Sequence, residues 1–278
     1  MIEYKTVNNE LIWTDVGYGN SAAIDLGKKV FVIDSMLNWE LAAEWRSVVE
    51  HYFDKPVSGL ILTHHHADHT FGNQVFSDVP IISSQETRQQ TLRFEQEIWL
   101  HESPDDRAEW EAGGYGVKNL ILTHPNVCFE KSMILYGDKR LDLVQGDGHT
   151  MGSAYLWQPE SKTLLSGDVV FARQFPYGGD ETCNIVRWQQ VIEELIARNP
   201  EIIISGHVPP ATLTDLREIN EFFVQSIDFL RNKLDEGLTW EEIAQDPCFP
   251  EYYSRDRSER KKATIERWAA FFNKEYSR

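Results

Sequence analysis

The chain has 278 residues, 41% hydrophobic and 26% charged, which excludes a disordered protein and predicts one large α/β domain, with at most an appendage. Its 27 basic residues against 44 acidic ones leave a net charge of −17, a field that repels phosphate backbones and speaks against a nucleic-acid partner. No run approaches the roughly 18 apolar residues of a membrane span, so no membrane partner is expected. The start Met1-Ile2-Glu3-Tyr4-Lys5 lacks the basic and apolar segments of a secretory signal. Cys128, Cys183 and Cys248 are odd in number and form no CxxC pair. Together these features predict a reduced, cytoplasmic protein with neither a disulfide framework nor a cysteine zinc site.

Short, β-branched apolar runs bounded by Gly, Pro, Asp or Asn predict strands at 30–33, 60–62, 79–82, 120–122 and 134–136. Further strands are predicted at 141–144, 154–157, 163–166 and 202–204, enough for two sheets. Leu41, Trp45, Val48 and Tyr52 repeat at helical spacing behind Asn38 as N-cap. Ile185, Trp188, Ile192 and Leu195 do the same behind Asn184, until Asn199-Pro200 stops them. Ser83-Ser84-Gln85-Glu86 has capping-box spacing and opens a polar, aromatic-bearing helical insertion over about 84–116, broken by Pro104 and closed by Gly113-Gly114. Beyond Asp215 the strand signals cease. Leu216, Ile219, Phe223, Ile227, Leu230 and Leu234 predict an amphipathic helix, Thr239-Trp240-Glu241-Glu242 starts another, and Ile265, Trp268 and Phe272 mark a last one. The predicted division is therefore a catalytic domain over 1–214 and a helical extension over 215–278.

Nine histidines occur, and four fall in Thr63-His64-His65-His66-Ala67-Asp68-His69, directly after the apolar run Leu60-Ile61-Leu62. Strand ends in layered α/β folds are where ligand sites gather. Alternation puts His64 and His66 on one side and His65 on the other, with Asp68 and His69 in the turn beyond. Imidazoles mixed with a carboxylate suit a borderline metal, zinc first and iron or manganese also, although a surface histidine run can share the pattern. His149, Asp168 and His207 each follow a strand and a glycine (Gly148, Gly167 and Gly206), whose missing side chain would let backbone and metal approach closely. The other histidines read more plainly. His65 is expected in packing or behind the ligands, His124 in a structural role, His51 near an exposed helix end, and His101 in the insertion. Cys183 is expected to be a small buried hydrophobe.

In these residues the chain resembles a metallo-β-lactamase-superfamily hydrolase. The family's HxHxDH motif is met by His64, His66, Asp68 and His69, and its later ligands by His149, Asp168 and His207 in order, over roughly residues 10–212. The resemblance implies an α/β fold, a four-layer αββα sandwich with the site at one edge of its two sheets. It implies two divalent metal ions, with His64, His66 and His149 on the first, Asp68, His69 and His207 on the second, and Asp168 bridging both. Such a pair would share a water and make it a nucleophilic hydroxide. Asp68 would be the catalytic residue, orienting that water and shuttling a proton.

Family members that cleave β-lactams generally carry cysteine or serine where this chain has Asp168, so a main β-lactamase activity is disfavoured and a promiscuous one stays open. Flavodiiron oxygen reductases carry glutamate at the position of His66 and add a flavin domain. RNA-processing members use basic or specialised RNA-binding insertions, which the net charge of −17 speaks against. What the resemblance implies is a hydrolase of a small acyl substrate (thioester, ester or lactone) of the glyoxalase II and lactonase type. Phosphodiester hydrolysis and a non-catalytic metal-binding sensor are the alternatives. Substrate contacts are expected from Met36-Leu37-Asn38-Trp39, from the stretch 92–116 and from Phe175-Pro176-Tyr177-Gly178, whose aromatics favour an apolar acyl group. Nothing in the pattern indicates an oligomeric state.

Overall fold

The computed structural model describes residues 2–207, 209–253 and 258–276. The apolar runs assemble two sheets that stack face to face. The first holds β1 (Lys5–Asn8), β2 (Leu11–Gly17), β3 (Gly19–Asp25), β4 (Val30–Ile33), β5 (Val57–Ile61), β6 (Ile81–Ser84) and β7 (Val127–Phe129) in sequence order. Its strands pair antiparallel from β1 to β4 and parallel from β4 to β7. The second holds β8 (Ser132–Tyr136), β9 (Arg140–Gln145), β10 (Ala154–Gln158), β11 (Thr163–Gly167) and β12 (Ile202–Ser205), antiparallel except for the β11–β12 pair.

Alternation along each strand sorts side chains into three layers of core. Leu11, Trp13, Phe31 and Ile33 from the first sheet meet Leu143, Leu156, Leu165 and Ile204 from the second. On the outer face of the first sheet, Ile12, Val30 and Val32 pack on Trp45 and Val49 of α1 (Trp39–Phe53). On the outer face of the second, Tyr155, Leu164 and Ile203 pack on α5 (Ile185–Arg198) and α6 (Leu213–Asp235). The four layers are therefore helix, sheet, sheet and helix, the αββα sandwich expected.

The local signals held at several helix starts. Asn38 and Asn184 cap α1 and α5 through their side-chain oxygens, and Thr239 closes a capping box at α7 (Trp240–Ala244); Thr212, which the sequence reading did not single out, closes another at α6. Elsewhere the structure differs from the sequence reading. The run Leu120-Ile121-Leu122 forms no strand: Leu120 joins Phe71, Trp99 and Val117 in a small cluster beneath the insertion, while Ile121 is exposed. The insertion consists of α3 (Gln85–Glu97) and α4 (Pro104–Ala112). Ser84 rather than Ser83 caps α3, accepting from Thr87 N, and Pro104 begins α4 rather than breaking a helix. Strands β1, β2, β3 and β7 were not expected from the sequence: β3 buries small and polar residues such as Asn20 and Ser21, and the apolar runs of β2 (Leu11-Ile12-Trp13) and β7 (Val127-Cys128-Phe129) are only three residues long.

The C-terminal helices share the second sheet's outer core. Trp268 and Phe272 of α8 (Ser258–Tyr276) are fully buried, with Trp268 against Phe175, Phe222 and Phe223. Among the described residues no helix is long and apolar enough to cross a membrane.

Candidate metal centre

The chain leaves β5, β9, β11 and β12 at one edge of the sandwich, and every predicted ligand lies in the segments that follow. His66 caps the one-turn helix α2 (Ala67–Thr70), which presents Asp68 and His69. Two groups of donor atoms result. In the first, His66 Nδ1 lies 3.0 Å from His64 Nε2 and 3.1 Å from His149 Nε2, while Asp168 Oδ2 lies 3.9 Å and 3.6 Å from those two Nε2 atoms. In the second, Asp68 Oδ2 lies 3.5 Å from His69 Nε2 and 3.3 Å from His207 Nε2. Asp168 joins this group as well, with Oδ1 3.4 Å from His69 Nε2 and Oδ2 3.2 Å from His207 Nε2. Four ligands at tetrahedral angles, each about 2.1 Å from an ion, stand about 3.4 Å apart, so both groups have the spacing of a metal shell.

Hydrogen bonds on the far side of each ring turn the lone pairs inward. Thr63 Oγ1 donates to Asp34 Oδ2 and so accepts from His64 Nδ1 at 3.1 Å. His149 Nδ1 donates to the Tyr177 carbonyl at 2.9 Å, His69 Nδ1 to Asp34 Oδ2 at 2.8 Å, and His66 Nε2 to Asp180 Oδ2 at 3.1 Å. Each of these rings therefore turns its other nitrogen to the centre, the arrangement that orients histidine ligands. His69 Nε2 and Asp168 Oδ1 are buried without a hydrogen-bond partner, a costly state for polar atoms unless a cation satisfies them. The donor set and these orphaned atoms fit divalent ions.

The electrostatics divide the rings. Burial holds His64 well below the usual imidazole range and His149 at about 3, so both stay neutral. Burial also opposes charge on His207, but Asp168 and Asp68 outweigh it and raise the ring to about 10. His69 is raised in the same way by Asp68, Asp168 and Asp34. Both site carboxylates are held well below their ordinary range, the nearby imidazoles overcoming the burial that opposes their charge.

The glycines act less uniformly than their spacing suggests. A Cβ on Gly206 would lie 1.9 Å from Asp168 Oδ1, so that glycine does admit the Asp168 carboxylate. Gly148 and Gly167 instead make room for Trp188 and Thr63, with positive φ at Gly167 (+49°). His65 lies behind the ligands as expected, its Nε2 reaching Asp180 at 3.2 Å. His124 bonds Thr91 and Glu95. Burial pushes the Cys183 thiol up to about 12, leaving it unreactive.

A cavity of about 660 Å³ opens over the donor groups. Of the expected loops, Leu37, Asn38, Phe175, Pro176 and Tyr177 line it, and the insertion contributes Gly113, Gly114 and Tyr115. Met36 does not; it is fully buried against Gly17. Among the participants not singled out from the sequence are Asp34 and Asp180 behind the ligands, and Tyr18, Phe171, Arg260 and Lys261 in the cavity wall. An aspartate ending the buried run Val30–Ile33, and a basic triplet Arg260-Lys261-Lys262 in an acidic chain, were the available signals.

The family model described as the metallo-beta-lactamase superfamily matches residues 14–207, which contain every predicted ligand. The chain belongs to this superfamily. Among its relatives, the acyl-coenzyme A thioesterase MBLAC2 of Bos taurus is 28% identical over 172 residues, covering 60% of this chain and 61% of that one. The matched segment thus spans less than two thirds of that relative's length. The metallo-beta-lactamase type 2 of Bacillus cereus is 23% identical over 230 residues, 74% of this chain and 81% of the other. The solved sec-alkylsulfatase Pisa1 from Pseudomonas sp. shares the fold with a TM-score of 0.74 at 18% identity, over 98% of this chain and 50% of its own.

Proposed function

We propose that the protein is a dinuclear metal hydrolase of small thioesters, with zinc as its ion. His64, His66, His149 and Asp168 would hold the first ion, and Asp68, His69, His207 and Asp168 the second. The observation that carries this is that Asp168, lining one cavity, lies within 4 Å of ring nitrogens in both donor groups, with its Oδ1 buried and without a hydrogen bond. The thioester bond is favoured over other acyl bonds by the likeness to the bovine thioesterase.

The ions, when bound, supply an acidified water and a Lewis acid. The chain's residues do the rest. Asp68 would accept a proton at its carboxylate and pass it to the departing sulfur. The buried imidazoles of His64 and His149 stay neutral and keep their lone pairs directed inward. Tyr177 and Phe171 pack against the rings of His66, His149 and His207 and give the cavity an apolar rim.

The test is hydrolysis by metal-loaded protein of an acyl thioester, a lactone, an aryl ester, a phosphodiester, a β-lactam and a secondary alkyl sulfate. Metal-dependent thioester turnover that Asp68→Ala abolishes is expected. Turnover confined to the β-lactam, the phosphodiester or the sulfate would replace the substrate class. Two bound ions with no turnover would make the protein a binding module.

A further inference from the structure

The wall of the cavity is electrostatically unlike the molecule around it. The chain carries a net charge of −17, yet the only carboxylates among the described lining residues are Asp68 and Asp168, both turned to the donor groups. The permanent cations there are Arg260 and Lys261, at the start of α8. Arg260 donates to Tyr18 Oη at 2.6 Å, and its guanidinium lies 5.8 Å from the Tyr18 ring centre and 5.7 Å from that of Tyr177. Those rings in turn face the donor groups: Tyr18 is edge-on to His207 at 5.7 Å, and Tyr177 lies 6.0 Å from His66. One aromatic ring therefore separates the guanidinium from each half of the candidate metal centre.

Tyr18 is held there by its backbone. It adopts a φ of +72° between two glycines that admit no side chain, Gly17 against Met36 and Gly19 against the Asp68 carbonyl. Lys261 Nζ lies 5.6 Å from the ring of Phe175, farther along the same wall. The remaining lining is largely apolar or aromatic, with Leu37, Leu41, Phe171 and Pro176 among it. A donor fork held beside aromatic rings is a geometry by which arginine binds planar or tetrahedral oxyanions.

We propose that Arg260, assisted by Lys261, is the substrate-recognition element of this cavity, and that the preferred substrate carries an oxyanion group (carboxylate, phosphate or sulfate). That group would sit one aromatic ring's breadth from the bond that is cleaved. This rests on the hydrolase reading above and names the class of substrate. The anion can belong to either side of the scissile bond, and the test separates the two.

Three thioesters resolve it: S-butanoyl-coenzyme A, anionic on the thiol side; S-glutaryl-N-acetylcysteamine, anionic on the acyl side; and neutral S-butanoyl-N-acetylcysteamine. The wild-type protein is expected to favour one anionic substrate by about tenfold or more in kcat/KM, expressed mainly in KM, and to lose the preference as salt is raised. Arg260→Met should erase that preference, and Arg260→Lys should restore part of it. Equal use of all three by the wild type, or a preference untouched in Arg260→Met, overturns the proposal. If no thioester is cleaved, binding still decides. Calorimetry would compare coenzyme A with pantetheine, and glutarate with glutaramide, on wild type and Arg260→Met. An affinity gain for the anion that the variant loses upholds the proposal whatever bond is cut, and equal affinities reject it.

Discussion

At the scale of single residues, the site is decided by what stands behind the ligands. Asp180 accepts from both His65 and His66, and Thr182 donates to it through its backbone N–H at 2.8 Å. The two imidazoles overcome burial and hold this carboxylate below its usual range, so it stays charged and keeps the proton of His66 on Nε2. Asp180→Ala should therefore weaken metal binding by about ten- to a hundredfold, measured by competition with a chromophoric chelator, with little change in melting temperature. Unchanged affinity would remove Asp180 from the positioning of His66. Sequence pattern identified the seven residues that now surround the centre, because donors cluster at strand ends. It missed Asp34 and Asp180, since a carboxylate bonding an imidazole from 35 or 114 positions away leaves no local periodicity.

At the scale of elements, the loop after β12 and the strand end after β11 must pass each other closely. Gly206 N donates to the Gly167 carbonyl at 2.8 Å, and a Cβ at Gly206 would press on Asp168. Gly206→Ala should displace the carboxylate shared by the two donor groups. The expected result is loss of about one metal equivalent per chain by atomic absorption and at least a tenfold drop in turnover. Full occupancy and activity in this variant would mean that Asp168 is not shared. The misassigned strand at 120–122 belongs to this scale too. Its apolar run is short enough to serve either a strand or a loop cluster, and the partner it packs on, around Trp99, lies in an insertion that periodicity does not place.

At the scale of the whole molecule, the C-terminal helices and the charges of the donor groups set stability. Trp268 is fully buried against aromatics from α6 and from the loop carrying Phe175. Trp268→Ala should cost about 3–5 kcal/mol in denaturant unfolding. A chain ended near residue 214 is expected to be insoluble, the extension being part of one core. Protonation adds a second handle. In chelator-treated protein, His207 with its value raised to about 10 from 6.5 stabilises the fold fully below about pH 6.5, and that contribution is lost as pH rises through 10. The lowered carboxylates, Asp68 and Asp168, contribute a constant amount across this window. The melting temperature of metal-free protein should fall between neutral pH and pH 10, while the metal-loaded protein, whose ion replaces the proton, should not follow it. A flat profile without metal would contradict the His207 coupling.

Local chemistry by itself determined a great deal: the apolar runs that form most strands, the caps Asn38, Asn184 and Thr239, and the donor residues His64, His66, Asp68, His69, His149, Asp168 and His207. Each of these depends on near neighbours in the chain, on alternation, capping or a residue's place after a strand. Only the tertiary structure decided which donors share Asp168, which carboxylates lock the imidazoles, and that Tyr18, Tyr177 and Arg260 meet over the cavity. These depend on approaches between segments far apart in sequence, such as the 242 positions between Tyr18 and Arg260, where packing rather than local propensity sets the distance.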